Sequence, residues 1–201
     1  MVEYIDVCNE DGTSAGYSAP RSEIHEKGLW HRVVHIWIVD SNGMVLIQKR
    51  AAHKESNPSM WDISCAGHIE AGMNSKETAI KELFEELGLL YSQNDLELLF
   101  SYNKKSILNN GKYLDFEIPD VYLITLAHPL NLGTLNLQIE EVSDAKLVTP
   151  NELYQLITEE NSTFAPLYDA DDKPFKAHPY FKLFETLAEK FPTPTNKNLL
   201  N

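Results

Sequence analysis

Cysteine is nearly missing from this chain. Cys8 and Cys65 are the only two in 201 residues, too few for a disulfide framework, and neither has the neighbours of a zinc site. Basic residues are also scarce, with 17 Lys and Arg against 30 Asp and Glu and a formal net charge of −13. Such a balance opposes binding to duplex nucleic acid or an anionic membrane surface, where the electrostatic term would be repulsive. No apolar run approaches the roughly 18 residues of a membrane span, no charged-then-apolar leader opens the chain, and no internal repeat is present. These absences lead us to expect a reduced, cytoplasmic protein with no nucleic-acid polymer and no membrane as partner. A small phosphorylated molecule remains compatible, provided that metal ions and local basic residues neutralise it.

What is present suits one globular domain, since 43% of the residues are hydrophobic and 23% charged. We expect a single domain over residues 1–191 and a disordered tail over 192–201, PTPTNKNLLN. Tyr4–Cys8 reads as a short strand and Pro20–Glu26 as a helical turn. Val33–Val39 and Met44–Lys49 flank Asp40-Ser41-Asn42-Gly43 and read as a hairpin. Further strands are expected at Trp61–Ser64, Leu96–Tyr102, Tyr113–Leu126 and Glu141–Val148, and helices at Asn151–Glu159 and Tyr180–Phe191. Strands with helices before, within and after them imply the α/β class, an α/β/α sandwich around a mixed sheet.

The most informative stretch is GHIEAGMNSKETAIKELFEELGL, Gly67–Leu89. Asn74 or Ser75 is suited to cap a helix there, Glu77 stands three residues after Asn74, and Gly88 sits where a left-handed C-cap is wanted. On that helix Glu82, Glu85 and Glu86 crowd one turn, and each like-charged i,i+4 pair costs roughly 0.2–0.5 kcal/mol. A divalent cation would turn that cost into coordination by hard oxygen ligands. Ile80, Leu83, Phe84 and Leu87 are expected on the opposite, apolar side. Acidic helix faces are ordinarily just solvated, so the reading depends on context.

That context is a motif. The segment resembles the Nudix box, G-x5-E-x7-R-E-U-x-E-E-x-G-U with U aliphatic, through Gly67, Glu82, Leu83, Glu85, Glu86, Gly88 and Leu89. The resemblance implies a Nudix-type fold and Mg²⁺ or Mn²⁺ bound by Gly67, Glu82, Glu85 and Glu86. Met73 stands where the motif has its first glutamate and Lys81 where it has arginine. In the family these two residues support the loop–helix geometry through an ion pair, so their joint change is expected to loosen the loop.

The flank LIQKRAAHKESNPSMWDISCAGHIEAG resembles the branch containing isopentenyl-diphosphate isomerases and isomerase-like hydrolases, and also the Nudix portion of plant two-part proteins. This resemblance implies that Arg50 and Lys54 hold a diphosphate, Arg50 in bidentate fashion, although both would otherwise pass for surface cations. It sets His25, His31 and His68 with Asp115 and Glu117 at the place of a second metal site, and makes His68, in the active loop, a substrate-binding residue. Catalytic roles are implied for Glu85, Glu86 and Glu117, with Glu85, Asp115 or Glu117 taking a proton from water; Glu140 and Glu141 are weaker choices. Where the isomerases carry a proton-transferring cysteine before the loop glycine, this chain has Ala66, and Cys65 is expected on the other face of an extended segment. The expected activity is therefore hydrolysis of a diphosphate linkage in a small metabolite, either a nucleoside diphosphate derivative or an isoprenyl diphosphate. Isomerisation and a weakly catalytic binding module are the alternatives. A homodimer stays open.

Overall fold

The computed structural model describes residues 2–159, 163–167, 174–193, 195–196 and 199–200. In chain order the elements are β1 (Tyr4–Cys8), β2 (Ser14–Pro20), α1 (Arg21–Lys27), β3 (His31–Val39), β4 (Val45–Arg50), β5 (Trp61–Asp62) and β6 (Cys65–His68). These are followed by α2 (Ser75–Leu87), β7 (Glu97–Ser101), β8 (Lys104–Leu108), β9 (Tyr113–Thr125), β10 (Val142–Val148), α3 (Pro150–Thr158) and α4 (Phe181–Lys190).

β3 is the axis of the sheet. It runs parallel to β9 from the pair His31–Glu117 to the pair Val39–Thr125, and antiparallel to β6 from Val33–His68 to Ile36–Cys65. Being covered on both faces, β3 is apolar almost throughout instead of alternating. Val34, Ile36 and Ile38 meet Ala79, Leu83 and Leu87 of α2. Trp37 and Val39 belong to the opposite core with Leu153 of α3 and Leu183, Phe184 and Leu187 of α4. Helices thus cover both faces of a mixed sheet, as the α/β/α expectation requires.

The helix ends follow the local chemistry. Asn74 accepts a hydrogen bond from the Glu77 amide at 3.0 Å, and Gly88, at φ 69°, closes α2 by donating to the Leu83 and Phe84 carbonyls. Thr149 and Glu152 form a capping box at α3, with Pro150 in the first turn.

Several expectations change. The turn at Asp40–Gly43 forms, with Asp40 Oδ1 accepting from the Asn42 and Met44 amides, but only Val39 and Val45 pair across it. Beyond that pair the edge of β3 is taken by β6, and β4 pairs along its length with β10. The strand expected at Trp61–Ser64 is limited to Trp61–Asp62; the Ser64 hydroxyl donates to the Leu46 carbonyl and accepts from the Ile38 amide, bridging to β6. Phe84 is 54% exposed and Glu86 only 6%. The buried stripe of α2 is Ala79, Leu83 and Leu87, so the acidic residues border the packed face and do not oppose it. Strands β2, β6 and β8 were not among the strands expected from the sequence. Within the stretch from residue 192, Asn196 donates to the Phe191 carbonyl and Leu199 is buried in the α3/α4 core; residues 194, 197, 198 and 201 lie outside the described residues.

Candidate active site

The β3–β6 register sets Gly67 opposite Val34, and α2 lies across this part of the sheet. A Cβ atom on residue 67 would fall 2.6 Å from Glu82 Oε1, so glycine is what allows the carboxylate to sit against the β6 backbone. One turn later Glu86 accepts from Gln48 Nε2 at 3.2 Å. Burial, reinforced by the neighbouring Glu82 charge, raises the Glu86 carboxyl to about 8; burial likewise raises Glu82 to about 7, Lys81 opposing it and Glu85 adding to it. Two largely buried, mutually repelling acids, of which Glu82 has Lys81 Nζ 3.8 Å away, make a hard-oxygen donor set, which fits a divalent cation. Glu85, at the same turn, is half-exposed and pairs with Lys81 at 3.0 Å.

Lys81 corrects the expectation of a loosened loop. Its ammonium lies 2.8 Å from Glu70 Oε1, so an acid three residues before Met73 supplies the loop–helix ion pair. Met73 itself packs against the core beneath α2.

One cavity of about 350 Å³ gathers the remaining candidates: Arg50 and Lys54, Gly67 and His68, Glu82, Glu85 and Glu86 of α2, and Asp115 and Glu117 of β9. Arg50 is already oriented, donating to Asp62 Oδ2 at 3.1 Å and to the Ser56 carbonyl and hydroxyl at 3.0 Å. Two of its five N–H donors are left for an anion. Lys54 pairs with Glu141, which also lines the cavity.

Across the cavity the sheet register builds a second cluster. His31, Glu117 and Lys104 are successive neighbours across β3, β9 and β8. Lys104 Nζ lies 3.0 Å from Glu117 and 3.8 Å from Asp115. His25, from α1, stacks on Tyr113 with ring centroids 4.2 Å apart; its Nδ1 is 3.3 Å from Asp115 and its Nε2 3.3 Å from His68 Nε2. Burial keeps all three imidazoles below the usual histidine range, His25 at about 4. Although burial opposes it, Glu117 is held ionised by Lys104, while burial and the Glu117 charge raise Asp115 to about 7. The ligand atoms of His25, His31 and His68 lie within 4.8 Å of one another, as do those of His31, Asp115 and Glu117.

Sequence reasoning missed Lys104, Gln48, Arg21 and Tyr113, all of which line the cavity. Lys104 could have been found from the alternation of β8, had that strand been recognised. The other three carried no local signal. Ala66 faces the cavity, whereas Cys65 is buried beneath α2, as expected for adjacent residues of an extended strand.

Sequence comparison gives this arrangement its family. Residues 29–170 match the NUDIX domain, and the chain belongs to that family. Nudix hydrolase 3 of Arabidopsis thaliana is 39% identical over 94% of this chain but only 24% of its own length, so the chain corresponds to about a quarter of that relative. An isopentenyl-diphosphate Delta-isomerase of Photorhabdus laumondii is 33% identical over 70% of this chain and 74% of its own. The chain thus falls in the isomerase-like branch of the NUDIX family. A Deinococcus radiodurans crystal structure shares the fold with TM-score 0.58 and 22% identity, covering 75% of this chain and 86% of its own. Among the described residues no helix is long and apolar enough to cross a membrane.

Proposed function

We propose that the chain hydrolyses a diphosphate linkage in a small metabolite, a nucleoside diphosphate derivative or an isoprenyl diphosphate, in the cytoplasm. The observation that carries this reading is the pair of buried carboxylates, Glu82 against Gly67 and Glu86 beside Gln48, facing a cavity lined by Arg50 and Lys54. Glu82, Glu85 and Glu86, with the Gly67 main chain, are the residues that would hold Mg²⁺ or Mn²⁺. Such an ion supplies Lewis-acid polarisation of phosphoryl oxygens. Arg50 and Lys54, already oriented by Asp62 and Glu141, hold the diphosphate, and His68 contacts it from the β6 side. Glu85 or Glu117 accepts a proton from the attacking water. A groove of about 810 Å³ shares Lys104 and Leu167 with the cavity and gives room to the organic substituent.

A second reading, isopentenyl-diphosphate isomerisation, is favoured by the histidine–carboxylate cluster and disfavoured by the methyl group at Ala66, which moves no proton. A panel of nucleoside diphosphate derivatives, dinucleoside polyphosphates and isopentenyl diphosphate, assayed with Mg²⁺ for phosphate or monophosphate release, tests the proposal. Turnover of one class by the parent and none by Glu82→Gln is the expected result. No Mg²⁺-dependent release from any member would sink it.

A further inference from the structure

The histidine–carboxylate cluster has the outline of a metal site. His31 donates through Nδ1 to the Leu29 carbonyl at 3.0 Å, which leaves Nε2 as a buried lone pair with no hydrogen-bond partner. His31 belongs to two sets of ligand atoms, one with His25 and His68 and one with Asp115 and Glu117, the atoms of each set lying within 4.8 Å of one another. Imidazole with carboxylate is a donor set for a transition-type dication.

A cation is already there, however. The β8–β9 register sets Lys104 directly opposite Glu117, and its ammonium lies 3.0 Å from Glu117 Oε2 and 3.8 Å from Asp115 Oδ2, with the side chain 16% exposed. With both carboxylates ionised, as ligation of a dication requires, they, one ammonium and three neutral imidazoles carry a net charge of −1. A dication added to this set would leave a buried excess of +1, and the ammonium would stand a few ångströms from it. With a neutral residue at position 104 the same dication would bring the set to zero. Burying an uncompensated charge is costly, so Lys104 decides whether the site accepts metal.

We propose that Lys104 is the resident cation of this cluster, filling a metal-shaped ligand set from within the chain, so that divalent ions bind only at the α2 glutamates. An ammonium offers hydrogen bonds to an oxyanion and no vacant coordination position. Lys104 also borders both the cavity and the neighbouring groove. The inference concerns the number and place of metal sites and holds whichever diphosphate is turned over.

Mn²⁺ binding by equilibrium dialysis provides the test, with no activity measurement involved. In the Glu82→Gln/Glu86→Gln protein, which retains Lys104, we expect no equivalent of Mn²⁺ that depends on His31. Adding Lys104→Met to that background should create one equivalent, with affinity raised at least 100-fold, and adding His31→Asn should remove it again. A His31-dependent equivalent in the protein that retains Lys104 would overturn the proposal, as would a folded Lys104→Met variant that gains none. If Lys104→Met does not fold, the comparison with and without His31→Asn in the Lys104 background decides alone.

Discussion

The carboxylate of Glu82 occupies the space that a side chain on Gly67 would fill, with Oε1 only 2.6 Å from the position of that Cβ. Gly67 does not have a positive φ, so alanine meets no backbone strain there and acts only by displacing Glu82. We expect Gly67→Ala to fold with little change in melting temperature and to lose turnover on the order of 100-fold, the scale set by a 1 Å misplacement in an active site. Undiminished kcat/KM would refute the placement of Glu82.

Replacing Glu82 or Glu86 by Gln retains side-chain volume and removes a charged ligand. Metal-dependent turnover should fall by more than the roughly 10–100-fold that loss of an outer-shell partner costs. Without metal the folded protein should be unchanged or more stable, because a buried repulsive pair is relieved. Full activity of both variants at ordinary Mg²⁺ concentrations would exclude the metal assignment.

The same pair fixes a pH dependence. Both carboxyls are raised in the folded state, to about 7 and about 8, above their ordinary 4.5. Their contribution is therefore complete below pH 4.5 and is lost as pH rises through 7 to 8. With one pKa unit worth about 1.4 kcal/mol, the metal-free protein should weaken on the order of a few kcal/mol over that range. Stabilisation by Mg²⁺ should grow over the same range, since the ion binds the ionised pair. Thermal melts in chelator and in Mg²⁺ across pH 5–9 check this, and a flat chelator series would contradict it. Glu86→Gln should flatten the slope.

The ion pair between Lys81 and Glu70 yields a further expectation. Glu70→Gln should cost ~0.2–1 kcal/mol of stability, as for a half-exposed pair, and slow turnover. Met73→Glu combined with Lys81→Arg should gain little, because Glu70 already meets the cation. A large gain in kcat from that double variant would show that the loop is looser than the geometry indicates.

Isopentenyl diphosphate with Mg²⁺ should give monophosphate plus phosphate, or no reaction, and no dimethylallyl diphosphate. Ala66 faces the cavity, and Cys65 is buried beneath α2 against the Glu86 carboxyl, its thiol pushed well above the usual range by burial and by that neighbouring charge. Formation of the dimethylallyl isomer, abolished by Cys65→Ser, would promote the isomerase reading.

The helix carrying the glutamates was legible because its signals are local: a cap, a spacing and a terminal glycine lie within Asn74–Gly88. What failed depended on partners far along the chain. The apolar face of α2 was misplaced because Phe84 and Ala79 are both apolar, and only the sheet beneath selects Ala79. The hairpin after Val39 forms but is cut to one residue pair, because β6 takes the edge of β3 that β4 would have used. Lys104 escaped because its meaning lies in its register with Glu117, thirteen residues later. The counterpart of Lys81 was sought at Met73, where the motif has it, and found at Glu70.

The register of the sheet also acts as a ruler. β6, β3, β9 and β8 are consecutive neighbours, so the strand bearing Gly67 and the strand bearing Lys104 are three spacings apart. At about 4.8 Å per spacing that is roughly 14 Å, fixed by backbone hydrogen bonds that no side-chain substitution in the cavity alters. Changes to the lining can therefore alter what either end presents, while the separation of the two strands stays constant.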